Sequence, residues 1–163
     1  YIVLGAAAGF ILPAIILAIV YILSRKLKAV SDVSDSFRVD VLGNVVDGTD
    51  KAKAQEQIEY ICAQLAVLAE KSQKKNIVFA STVDSKNLAG IDEIVDKAIG
   101  KTLSDAKYAG AVLTDAKALK VLEAAEGVVL IEKLFATTYN DFEKELQLCK
   151  RLNVPVVGCI VVR

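Results

Sequence analysis

The 163 residues carry 20 basic and 20 acidic side chains and no histidine. With zero net charge, the chain lacks the clustered Lys and Arg of a nucleic-acid surface. Its three cysteines, Cys62, Cys149 and Cys159, are far apart in sequence, which excludes a zinc site of CxxC spacing and an even-numbered disulfide framework and points to a reducing compartment.

The charges are unevenly placed. Residues 1–23, YIVLGAAAGFILPAIILAIVYIL, have none, and a bilayer core needs about 20 mostly apolar helical residues. We read Tyr1–Leu23 as a transmembrane helix retained in the protein, because the run is too long for a signal peptide and its positive cluster follows it. Arg25, Lys26 and Lys28 then set the topology, placing the C-terminal side in the cytoplasm of a cell-membrane protein. The run begins at Tyr1 inside the apolar segment, so the chain reads as the C-terminal piece of a longer protein whose earlier part faces outward. Gly5 and Gly9 form a GxxxG that would pack one membrane helix on another, and Pro13 predicts a kink.

Beyond the basic collar, Ser31 is the expected N-cap of a short acidic helix through Phe37. VDVLGNVV, 39–46, alternates like a strand ending in the turn pair Asp47-Gly48. From Asp50 to Lys71 the positions Ala54, Ile58, Ile61, Cys62, Leu65 and Leu68 recur at helical spacing. NIVFASTV, 76–83, reads as a buried strand. Leu88, Ile91, Ile94, Val95, Ala98 and Ile99 form a second helical stripe with Gly100 as its C-cap, and 101–108 reads as a loop. A helix starting near Thr114 and carrying Ala118, Leu119, Leu122 and Ala125 leads to GVVLIEKL, 127–134. A last helix with Phe142, Leu146 and Cys149 inward precedes VPVVGCIVV, 154–162, opened by Pro155. Continuous apolar strands alternating with amphipathic helices predict an α/β fold, a small, mostly parallel Rossmann-like sheet with helices on both faces behind one N-terminal transmembrane helix. The expected divisions are 1–23 for the membrane helix, 24–50 for collar, short helix and first strand, and 51–163 for the α/β domain.

Chemistry is sparse along this frame. A phosphate site would present backbone N–H groups at a helix N-terminus, yet STVDSKNLAG after the strand 76–83 lacks the paired glycines and the GK[ST] of a P-loop. Lys86 is the single residue there that would reach a phosphate, with an exposed loop lysine as the plainer reading, and Asp84 and Ser85 add nothing stronger. Glu132 and Lys133 end the strand 127–134 without the carboxylate cluster of a magnesium site, and Glu132 reads as a surface charge or edge ion-pair partner. The pairs Asp92/Glu93 and Glu143/Glu145 read as solvated helix faces. Without His there is no Ser-His or Cys-His pair, and the cysteines read as small core residues. No catalytic, metal or cofactor site is expected.

Two stretches carry a resemblance. SDVSDSFRVDVLGNV resembles the segment after the second membrane helix of bacterial chain-length determinant proteins, the polysaccharide co-polymerases, fused to a tyrosine-autokinase domain. TDAKALKVLEAAEGVVLIEKLFATTYNDFEKELQLCKRLNVPVVGCIVV is similar to the closing part of that kinase fold. With the membrane helix these cover about two thirds of the chain, in the family's order. The departures lie in the catalytic parts. In the family a Walker A loop follows the strand matched by NIVFAS, and two aspartate-bearing motifs precede the segment matched by TDAKALKV. Thr82–Gly110 replaces all of this. In the helix before that loop, Glu56 matches the first position of a Glu-x-x-Arg-x-x-Arg assembly signature, but Glu59 and Cys62 stand at the arginines. No tyrosine-rich tail is present.

The resemblance implies a degenerate, non-catalytic kinase-like domain in capsular, exopolysaccharide or lipopolysaccharide assembly, regulating chain length through protein contacts. The implied partners are copies of itself, a bacterial tyrosine kinase or the polysaccharide polymerase, alongside the bilayer. Two other readings stand beside it: a membrane-tethered adaptor unrelated to polysaccharide, and an enzyme binding nucleotide through a nonstandard loop, Ser81–Gly90, with Lys86 on the phosphate.

Overall fold

The computed structural model describes residues 2–163, except for the side chains of residues 2–8 and of Phe10. Helix α1, Ile2–Leu23, runs through Pro13. Counting the described residues, no helix is long and apolar enough to cross a membrane. Ile11–Leu23 alone reaches about 20 Å at 1.5 Å per residue. The expected span rests in part on residues outside that description, Gly5 of the GxxxG pair among them. Around Gly9 a Cβ would meet nothing within 4 Å, so no close helix packing inside the chain uses it. From Ile11 to Leu23 large apolar side chains such as Leu12, Leu17, Ile22 and Leu23 stand exposed on every side of α1.

The remainder is a five-stranded sheet in the order β1-β5-β4-β2-β3, built from β1 Val41–Val45, β2 Ile77–Ser81, β3 Lys107–Ala111, β4 Gly127–Lys133 and β5 Val156–Val162. Every pairing between these strands is parallel. The helices are α2 Lys51–Ser72, α3 Ile91–Thr102, α4 Ala116–Glu123 and α5 Tyr139–Arg151. The inner strands β2, β4 and β5 are largely buried on both faces, and their side chains alternate between two cores. Phe79, Val129, Ile131, Ile160 and Val162 pack under α2 and α3. Ala80, Val128, Leu130, Cys159 and Val161 pack on the other face with Phe142 and Cys149 of α5 and Leu122 of α4. The segregation follows from handedness. The chain moves one way along the sheet through α2 and α3, then reverses through α4 and α5, and right-handed crossovers put the two pairs on opposite faces.

Several local expectations change. Ser31 makes no side-chain cap, and Asp32–Ser36 is a π turn. Asp32 caps the turn instead, its Oδ2 accepting from the N–H groups of Lys28 at 2.8 Å and Ala29 at 3.0 Å. Gly100 lies inside α3, which ends at Leu103, because Thr102 Oγ1 donates back to the Ala98 carbonyl at 2.8 Å and the last turn stays helical. The stretch 101–108 therefore splits between helix and the edge strand β3. Leu68 and Leu119 are exposed rather than inward. The other stripe residues of α2 and α3 are buried as their spacing requires.

The linker from α1 is fixed to the domain. Leu27 and Val33 are wholly buried in the second core, and Lys26 forms an antiparallel bridge with Thr138. Phe37 stacks edge-on against Phe142, with centroids 4.7 Å apart.

Candidate functional site

In an open parallel sheet ligands enter the crevice beyond the carboxyl ends of the strands, where the winding reverses. Here that point lies between β2 and β4, because the connection leaving β2 goes to one side and that leaving β4 to the other. The register Ala80↔Leu130 brings the end of β2 beside Glu132, two residues further along β4. A small crevice of about 190 Å³ opens there, lined by Thr82, Asp84, Asn87, Thr114, Thr137 and Asp141 among others.

Glu132 corrects the sequence reading. It is 0% exposed, because it follows Val128 and Leu130 on the same face of β4. Its carboxylate accepts from the Thr82 N–H at 3.1 Å, from the Thr82 hydroxyl, and from the Thr137 hydroxyl at 2.6 Å. Glu145 is also 0% exposed, in contrast to the exposed Glu143, and neither of its oxygens has a hydrogen-bond partner. It occupies the inward stripe of α5 with Phe142 and Cys149. The signal was present in the spacing, since 142, 145 and 149 share one helix face. Burial, then the neighbouring Glu132 charge, hold the Glu145 carboxyl well above the usual glutamate range. Burial also raises Glu132, against the donors from Thr82 and Thr137 that favour its ionised form. Of the two carboxyls, Glu145 is held the more strongly toward its protonated form.

Several amides of the loop between β2 and α3 are already engaged. The Thr82 N–H goes to Glu132, the Val83 N–H to Ser81 Oγ at 3.0 Å, and the Asn87, Leu88 and Ile91 N–H groups to the carbonyls of Asp84, Ser85 and Leu88. Lys86 is exposed and does not line the crevice. Asp84 and Asp141 do, and they bring negative charge to its wall. Among the described residues no group of three or more acidic, Cys or His side chains could hold a metal. The cysteines are free and buried. Burial pushes the thiols of Cys62 and Cys149 up to about 11, so they are protonated core residues at neutral pH.

No protein-family model matches the sequence, and no curated protein does either. Among solved structures the chain is similar to the BceF tyrosine kinase domain, with a TM-score of 0.61 at 8% identity, covering 85% of this chain and 99% of that one. At so low an identity the likeness is one of fold. The α/β domain has the fold of a tyrosine kinase domain, built from almost entirely different residues.

Proposed function

We propose that this chain is the membrane anchor and non-catalytic kinase-like domain of a chain-length determinant protein, acting in assembly or export of a cell-surface polysaccharide. The observation that carries the reading is the Glu132 carboxylate bound to the first amide and hydroxyl of the β2–α3 loop. A phosphate-binding loop offers its N–H groups to an anion at a helix N-terminus. In this chain a resident carboxylate takes the leading donor, and Asp84 and Asp141 oppose a second anion. The crevice volume is also below the roughly 300–1,000 Å³ of sites for drug-sized ligands. These features favour work by binding over phosphoryl transfer, and they disfavour a nucleotide site built on Lys86. Membrane anchoring is supported by the charge-free sequence of residues 1–23 and by the exposed apolar side chains of Ile11–Leu23 in α1.

The partners that fit this role are further copies of the chain, an active tyrosine kinase and the polymerase. The test is affinity purification of the full chain from its native membrane after mild crosslinking, with the captured proteins identified by mass spectrometry. The proposal expects polysaccharide-assembly proteins among them. Their absence in the presence of other specific partners would overturn the polysaccharide role in favour of an unrelated tethered adaptor.

A further inference from the structure

The linker Arg25–Lys28 is short and fully engaged. The Leu27 N–H donates to the Thr137 carbonyl at 2.8 Å, the Phe135 N–H to the Leu27 carbonyl at 2.7 Å, and the Tyr139 N–H to the Arg25 carbonyl at 2.7 Å. It also turns back on the helix it leaves. The Lys28 ammonium donates to the Tyr21 carbonyl and sits 4.4 Å from the centroid of the Tyr21 ring. The β4–α5 loop is therefore held at the level of the last turns of α1 and cannot swing far from it.

Phe135 is on that loop. Of the aromatic side chains following Ser24, only Phe135 and Tyr60 are exposed, at 55% and 67%. Tyr60 is on α2, across the sheet from the linker. Phe135 adopts φ 62°, a conformation non-glycine residues rarely take. Its backbone is bonded directly to the linker, beside Arg25, Lys26 and Lys28. Of the acids nearest in the chain, Glu132 is buried with Thr82 and Thr137 as donors, Asp32 accepts from the Lys28 and Ala29 amides and Asp141 bonds Thr138. An exposed aromatic ring among cations, continuous with an apolar helix, has the chemistry of a membrane-interface anchor.

We infer that Phe135 and the basic collar rest on an anionic bilayer surface, so that the β4–α5 loop, at the carboxyl end of β4, faces the membrane. The inference rests on the reading of α1 as a membrane anchor. It gives the domain a fixed orientation, with the outer surface of α2 turned away from lipid and open to other proteins.

The chain has no tryptophan, so single-tryptophan variants report one position each. Phe135→Trp, Ile15→Trp and Tyr60→Trp are made in the full chain, at positions that are all exposed. Each is reconstituted in vesicles of phosphatidylcholine and phosphatidylglycerol carrying shallow doxyl-labelled lipid. Strong quenching at positions 15 and 135, with none at 60, is the expected result. Quenching at 15 with position 135 behaving like 60 would overturn this orientation and leave the anchor standing. No quenching at 15 would overturn the anchor itself and the inference with it. Equal quenching at 60 and 135 would show the domain lying on lipid without a preferred face, and would also overturn it.

Discussion

Glu145 brings a second carboxyl against Glu132, and both residues are 0% exposed. A glutamate whose folded value lies above its ordinary 4.5 binds its proton more tightly in the native state than in the unfolded chain. Its contribution is then fully present below about pH 4.5 and is lost as pH rises toward the raised value, beyond which it is constant. Glu145→Gln cannot ionise, so urea midpoints between pH 5 and 8 should fall less steeply for this variant than for the parent chain, the raised Glu132 supplying the slope that remains. Equal slopes would contradict the raised value of Glu145. Glu132→Ala should behave differently. It strands the Thr82 and Thr137 donors in the interior, and we expect a loss of about 3 kcal/mol at neutral pH, from the cost of unsatisfied buried polar groups.

At the scale of elements, the helices α2–α5 and the strands β1, β2, β4 and β5 were legible because their apolar patterns are strong. The β3 segment was not. KYAGA has a lysine and a glycine and pairs only with β2 at the sheet edge, so it needs little apolar content and resembles a loop. The acidic pair escaped for a different reason. Charge alone suggested solvent, while register put Glu132 in line with Leu130 and Glu145 in line with Cys149. Two glycine-related changes test the packing of the elements. A Cβ on Gly48 would lie 1.7 Å from the Ala89 carbonyl oxygen, backbone that cannot step aside. Gly48→Ala should therefore cost about 2–3 kcal/mol in chemical denaturation, at the upper end of overpacking effects, by forcing apart the β1–α2 turn and the β2–α3 loop. Helix α2 ends at Gln73 in the left-handed region, φ 56°, where glycine is free of the side-chain penalty. Gln73→Gly should stabilise the chain by about 1 kcal/mol, and a lower melting temperature would contradict that account of the helix end.

For the whole molecule, the fold class could be read from alternating apolar runs, and the sheet is parallel as they required. Strand order was not legible, because it depends on crossovers and not on local pattern. Nor was the tight seating of the linker on the β4–α5 loop, since Arg25–Lys28 has no periodicity and gains its structure only from Thr137 and its neighbours. The result is a domain with the fold of a tyrosine kinase domain in which the Glu132 carboxylate accepts from the first donors of the loop after β2. The measurement that tests this most directly is calorimetric titration of the full chain, held in detergent, with Mg-ATP and Mg-ADP. The account predicts no saturable heat up to millimolar nucleotide. Saturable binding that survives Lys86→Ala would show a phosphate site that does not use the loop lysine, and binding lost in that variant would establish the loop lysine as its contact. Either form of binding would contradict the scaffold reading.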